Sequence, residues 1–339
     1  MARVRGSRRT NLALSVLLPS ALATGGLAFA IGAAWVGGIA IAHCVIGIAL
    51  IALSPWKLEI SRRGVRRRGA SSWPSLVLGG LLVVVTATGF GHATGALRTL
   101  GGVTAMQVHV GAALATVPFF AWHVAARRVR PRRTDASRRA VLRAGAVLGA
   151  STLGYGALEA VLGASSLPGS SRRFTGSFEQ GSSDPSAMPV TQWLDDEPPT
   201  IDPDAWRLIV RGPAGVRMWT RDEVDTASTA VRATLDCTGG WFSTQVWDGV
   251  ALAGLVRDVG SGRSIAVRSA TGYARRFPFA DASRVYLATR AGGVPLSVGH
   301  GLPARVIAPG RRGFWWVKWV TEVEVTDRPW WWQLPFPAT

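Results

Sequence analysis

From Thr10 to Trp56 the chain contains no Asp, Glu, Lys or Arg, and that stretch limits the fold more than any other feature. A helix that crosses a bilayer needs about 20 predominantly apolar residues. The stretch therefore holds two spans, with a turn near Gly32 to Gly38. A third span is expected from about Ser75 to Gly91, a fourth from about Val103 to Ala126 and a fifth from about Ala140 to Gly163. Gly and Pro within these stretches do not argue against them, because spanning helices tolerate both. The hydrophobic fraction of 48% is high for a soluble protein, and its excess is concentrated in this N-terminal half.

A net charge of +18 suggests nucleic acid until its location is considered. Residues 1–9 carry four Arg, residues 57–73 six Lys or Arg and one acid, and residues 127–143 eight Arg and one acid. These three segments sum to +16, and five crossings put all of them on one side. The loops on the other side carry only Arg98, and from residue 144 onward 19 basic residues face 18 acidic ones. The basic excess reads as a positive-inside signal, with no basic face left for DNA or RNA. It places the N-terminus in the cytoplasm and the C-terminal half outside.

Along the chain, residues 1–126 form a four-helix membrane unit and residues 127–163 an Arg-rich connector with a fifth span. Within the connector, Ser137-Arg138-Arg139-Ala140-Val141-Leu142-Arg143 precedes an uncharged run rich in Ala, Gly and Leu. It reads either as an internal twin-arginine export signal or as a stop-transfer charge cluster. Residues 164–200 are rich in Ser, Pro, Gly and Asp and read as a linker and irregular lead-in. Residues 201–339 form a mixed α+β, β-rich domain. Its strands are expected at Trp206–Arg211, Arg232–Asp236, Ile265–Arg268, Val285–Thr289, Arg305–Ala308 and Trp316–Val325. Helices are expected near Arg221–Asp225 and Ala251–Asp258.

The chain has two cysteines, Cys44 in the second span and Cys237 in the C-terminal domain, which cannot pair. An unpaired thiol in an oxidising compartment is a liability. Cys237 is therefore either a buried inert side chain or a soft thiolate for a metal. It stands in Thr234-Leu235-Asp236-Cys237-Thr238-Gly239-Gly240-Trp241, at a strand end before a glycine turn that lets a bulky group approach the backbone.

Cys237, with Trp247-Asp248-Gly249-Val250 and the helix after it, resembles the molybdenum-binding region of the sulfite oxidase family. So do His300-Gly301-Leu302-Pro303-Ala304-Arg305, Pro309-Gly310 and Gly313-Phe314-Trp315-Trp316-Val317-Lys318-Trp319. The similarity runs over roughly residues 184–327. It implies that Cys237 ligates molybdenum and that His300, Arg305 and Lys318 hold the pterin and its phosphate. Cationic donors suit an anionic pterin phosphate in any case. Lys318 is one of only two lysines among 38 basic residues, which favours a site that wants an ammonium. Arg311 and Arg312 either bind cofactor or anionic substrate, with Arg312 the stronger candidate, or form a solvated turn. Sulfite-oxidising members follow the cysteine with a stretch containing Asn and Arg. Here Thr238-Gly239-Gly240-Trp241 stands instead, which argues against sulfite. The end at Thr339 leaves no room for the immunoglobulin-like domain of the eukaryotic enzymes. The resemblance is closer to bacterial envelope members, among them methionine-sulfoxide reductases that work with a haem-bearing membrane partner.

Four of the five histidines, His43, His92, His109 and His123, fall in or beside spans, where ionisable residues are functional candidates. His109 and His123 are 14 positions apart, about 21 Å along one helix face, a spacing similar to that of haem-stacking b-type cytochromes. One haem b held by His109 with His43 or His92 is the expectation. The alternative is hydrogen bonding between helices or a place at the headgroup level. No histidine accompanies His123 at its depth. Trp315, Trp316 and Trp319 are expected in the domain core. Trp330-Trp331-Trp332 is read as closing that core rather than resting on lipid.

The resulting expectation is a membrane-anchored molybdenum-cofactor oxidoreductase. It exchanges electrons through haem b with a quinone or redox partner and acts on a small-molecule or oxidised-sulfur substrate. No general acid or base can be named from the sequence. The alternatives are a non-catalytic binding or sensing module on a membrane anchor, and a molybdoenzyme without haem served by a separate electron partner.

Overall fold

The computed structural model describes residues 2–68, 73–127, 129–193 and 196–337. Parts of the basic segments (69–72 and 128), two lead-in residues (194–195) and the last two residues lie outside the described residues. The chain divides into two compact units, one of residues 1–29 and 34–178, the other of residues 30–33 and 179–339.

The first unit is helical. Helix α1 spans Ala2–Ala30 and α2 Gly37–Arg68, joined by a 3-10 turn at Ala34–Val36. Helix α3 spans Trp73–Thr94, and a two-stranded ribbon, β1 (Thr99–Leu100) with β2 (Val103–Thr104), leads into α4 (Ala105–Ala126). Helix α5 runs over Arg138–Ser165. Among the described residues these five helices are long and apolar enough to cross a membrane. Helix α4 starts where the sequence supplies a capping box. Gln107 N–H donates to Thr104 Oγ1 at 3.1 Å, and Thr104 N–H to Gln107 Oε1 at 2.8 Å, satisfying two donors a helix start leaves over. The basic segments gather at one end of this unit. Arg8 pairs with Asp135 at 2.8 Å and Lys57 donates to Asn11 Oδ1 at 3.0 Å. Helix α5 packs along α2 and belongs to the same unit as the first four helices.

The second unit is built on two sheets. Strand β3 (Phe178–Glu179) stands at the boundary between the units, followed by β4 (Arg207–Gly212), β5 (Gly215–Thr220) and α6 (Arg221–Ala227). Then come β6 (Thr229–Asp236), β7 (Trp241–Ala251), the single turn α7 (Leu252–Leu255), β8 (Ser264–Ser269) and β9 (Ala274–Pro278). Strands β10 (Tyr286–Ala291), β11 (Val294–Pro295), β12 (Arg305–Ile307) and β13 (Val320–Thr326) complete it. One sheet has six strands, with β11, β10, β7 and β3 in order, β6 on β7 and β12 on β10. The other has the order β5-β4-β13-β8-β9, parallel only between β4 and β13. Strand residues face the core at alternate positions, as the two-residue period requires. Leu208 and Val210, Ile265 and Val267, and Val323 and Val325 are buried in this way.

Four expectations change. The last strand begins at Val320, because Gly313–Trp315 is a 3-10 turn. The helix expected to reach Asp258 is one turn long. The second half of the expected linker is packed structure: Gln180 N–H donates to Phe242 O at 2.9 Å, and Met188 is buried in the core. Trp315, Trp316 and Trp319 are buried, but Trp331 and Trp332 are 60% and 69% exposed, so the terminal tryptophans do not close the core.

Candidate active site

Strand β6 delivers Cys237 to the tip of a tight hairpin with β7. Cys237 N–H donates to Trp241 O at 2.8 Å and Gly240 N–H to Cys237 O at 3.2 Å. Gly240 has a φ of +89°, a conformation that suits only glycine without strain. The buried thiol accepts from Gly239 N–H at 3.3 Å. It also accepts from the Thr191 hydroxyl, which itself accepts from Trp241 Nε1 at 3.0 Å.

Arg312 fixes this turn from behind. It is 1% exposed, with Nη1 on Asp236 Oδ1 at 2.5 Å and Nη2 on Cys237 O at 3.1 Å. A side-chain carbon at Gly313 would sit 3.2 Å from Cys237 Cα, so the glycine is what allows this close backbone approach. Arg312 is too buried for the solvated-turn alternative, whereas the partly exposed Arg311 pairs with Asp281 at 2.5 Å. Nη1 and Nη2 of Arg312 hold the cysteine turn.

Three further expected residues converge here. Arg305 is 1% exposed. It donates to His300 O at 3.0 Å and Trp316 O at 3.4 Å, and its guanidinium lies 5.3 Å from the Trp247 ring centre. Its Nε has no partner among the described residues. His300 accepts the Ser297 hydroxyl at Nδ1 (2.8 Å) and donates Nε2–H to Met188 O at 3.0 Å. The tautomer follows because a carbonyl only accepts. Lys318 donates to Gly299 O at 2.6 Å, Gln192 Oε1 at 2.8 Å and Thr191 O at 2.9 Å. These use its three protons, so a phosphate would have to displace one of the three acceptors.

Burial governs the protonation chemistry. It pulls Lys318 down to about 7, with nearby Arg305 adding to the fall and Cys237 opposing it. It lowers Arg305 to about 10. It pushes the Cys237 thiol up, against the opposing pull of Gly239 N–H, Arg312, Thr191 and Lys318. Burial also lowers His300, helped by Arg305 and Lys318. Among the described residues neither Arg305 nor Lys318 has an acidic side chain within ion-pair distance.

Thr191, Gln192, Met188 and Asp236 were not foreseen. Three of them lie in the irregular lead-in, about 40 to 50 positions before the cysteine, and no local pattern marks them. A cavity of about 660 Å³ lined by Arg268, Arg276, Arg328 and Trp332 lies on the five-stranded sheet and includes none of the site residues.

The histidines of the helical unit separate into two kinds. His43 (α2) and His109 (α4) have ring centres 6.0 Å apart. His92 donates Nε2–H to Gly176 O at 2.8 Å and packs edge-on to Phe178, while His123 Nδ1 meets Ser75 Oγ at 3.1 Å.

Residues 196–332 match the family described as oxidoreductase molybdopterin binding domain. The match covers less than half of the chain and includes Cys237, His300, Arg305, Arg312 and Lys318. Among solved structures, the sulfane dehydrogenase SoxCD from Paracoccus pantotrophus is similar at 25% identity, over 39% of this chain and 40% of that one, with a TM-score of 0.37. The present chain thus spans well under two thirds of the length of that protein. No curated protein matches.

The residues fit such a cofactor. Among the described residues no cluster of three or more His, Cys, Asp or Glu is placed to hold a metal. A pterin dithiolene would supply further donors to a metal on Cys237. The unpartnered Arg305 Nε suits an anionic group beside that thiol.

Proposed function

We propose that this chain is a membrane-anchored molybdenum-cofactor oxidoreductase with Cys237 as the protein's ligand to the metal. One observation carries the reading: a buried thiol stands beside the buried Arg305 and the half-buried Lys318, and among the described residues neither cation has a carboxylate within ion-pair distance. Burying a cation without a counter-charge costs several kcal/mol. The arrangement therefore favours arrival of an anion, namely the metal-bound thiolate and a pterin phosphate.

The cofactor supplies two-electron oxygen-atom chemistry, and the protein contributes orientation and charge. Thr191 and Gly239 aim hydrogen bonds at Cys237 Sγ, and Arg312 holds its backbone. Trp247 and Trp316 flank Arg305 and exclude water from it. Exclusion of water strengthens each of these electrostatic effects. The substrate is a small molecule, with an oxidised-sulfur compound as the favoured class.

The helical unit anchors the enzyme in lipid as a cytochrome b-like module. It carries haem b and exchanges electrons with a membrane quinone or redox partner. The clustered basic segments support a cytoplasmic N-terminus and an extracytoplasmic catalytic unit. The Arg138-Arg139 segment supports export of a folded, cofactor-loaded domain.

Molybdenum and pterin content test the reading in full-length protein made by a cofactor-competent host. About one molybdenum per chain is expected in the wild type, as for a single-ligand site. Cys237→Ser should lose the dye-linked activity and most, but not all, of the metal. A wild type without molybdenum, or a mutant retaining both metal and activity, would overturn it.

A further inference from the structure

His43 and His109 are held by the same device, built twice. On α1, Ala21 O accepts His43 Nδ1–H at 3.0 Å, and a side-chain carbon at Gly25 would lie 2.8 Å from His43 Cε1. On α3, Val85 O accepts His109 Nδ1–H at 2.8 Å, and a side-chain carbon at Gly89 would lie 2.8 Å from His109 Cε1. In both cases the acceptor and the glycine are four positions apart. Residues i and i+4 share a helix face, with side chains leaning toward the N-terminus. A side chain at i+4 would therefore cover the carbonyl of i, and glycine uncovers it for the imidazole. Two helix pairs, α1 with α2 and α3 with α4, each present one imidazole in this way.

The consequence is a fixed tautomer. A carbonyl accepts only, so Nδ1 carries the proton and Nε2 of each ring keeps its lone pair. Neither Nε2 has a hydrogen-bond partner among the described residues. Donation of the second ring N–H to a backbone carbonyl is the usual support of a metal-bound histidine. Ring centres 6.0 Å apart match two imidazoles on one iron, for which a bond of about 2 Å and about 1 Å from nitrogen to ring centre give about 6 Å. Helix α3 packs along α4 and α2 along α5, and the His43 and His109 rings meet between α2 and α4.

We propose that His43 and His109 are the two axial ligands of a single haem b, with His92 and His123 serving helix and loop packing. This rests on the reading of the helical unit as a haem-bearing electron carrier and names the ligands of that site. His92 is excluded because its Nε2 is committed to Gly176 O at 2.8 Å.

The test uses full-length protein in detergent, from a host supplemented for haem synthesis, followed by its reduced-minus-oxidised spectrum and haem-to-protein ratio. The wild type should show a low-spin b-type band. His43→Ala and His109→Ala should each lose it, and imidazole added to either should restore it. His109→Met, which keeps an axial donor, should retain haem with a shifted band and a raised potential. His92→Gln and His123→Gln should keep the wild-type band. A band unchanged in His43→Ala or His109→Ala, or one lost in His92→Gln with molybdenum retained, would overturn the ligand assignment alone. A wild type with no b-type band would remove the haem reading itself and leave molybdenum at Cys237 to be judged separately.

Discussion

Arg312 and Asp236 set the position of Cys237 without touching its sulfur, and their pairing is a strong constraint at the scale of single residues. Both are buried, at 1% and 3% exposure. Removing one partner of a buried ion pair typically costs about 3–5 kcal/mol, because the other charge is left without compensation. Arg312→Ala should therefore lower the thermal midpoint of the full-length protein sharply, and Asp236→Asn combined with Arg312→Met should recover much of the loss. Equal midpoints for the wild type and Arg312→Ala would contradict this role. Lys318 makes a second residue-scale prediction. Burial lowers it from 10.5 to about 7 in the folded chain, so between those values the unfolded chain binds more protons. Stability of cofactor-free protein should then rise with pH from about 7 to about 10. Lys318→Met should flatten that rise, as read from denaturation midpoints across the range, and parallel slopes would contradict it. Cys237 was legible in the sequence because an unpaired cysteine before Gly239-Gly240 is a local signal. Thr191 and Gln192 were not, since only the fold brings the lead-in beside the His300 turn.

Elements were legible where their pattern reflects burial. The helices were legible from the charge-free runs, but their ends were not, since α1 and α2 extend into the basic segments and α5 starts within one. Strand β7 was missed because two of its inward positions are polar: Ser243 and Gln245 are buried and donate to Gly181 O at 3.1 and 2.6 Å. Strand β9 was missed because Arg275 faces inward, lying over the rings of Phe314 and Trp315. The turn after His300 is the element on which the cation pair depends. Gly301 has a φ of +110°. An added side-chain carbon would stand 3.1 Å from Arg305 Cβ and 3.2 Å from Lys318 Cβ. Gly301→Ala should destabilise the domain by about 1–3 kcal/mol and reduce molybdenum occupancy, while the helical unit retains its spectrum. Unchanged occupancy and stability would show that this turn does not set the cation spacing.

For the whole molecule, the two compact units differ in composition, with long apolar helices in the first and mixed sheets in the second. The unit boundary at residue 178 was harder to see, since residues 179–193 are irregular in sequence yet packed in the second unit. Orientation can be tested directly. A phosphatase reporter that is active only outside the cytoplasm should be active when fused at the C-terminus, and an N-terminal epitope should be protected in intact cells. The reverse pattern would contradict the positive-inside reading.

X-ray absorption at the molybdenum edge, on wild type and Cys237→Ser loaded in the same host, addresses the claim on which everything else depends. The wild-type metal should have one more sulfur neighbour than the metal remaining in the mutant, because one thiolate comes from the protein. The same number of sulfur neighbours in both proteins would show that Cys237 is not the ligand.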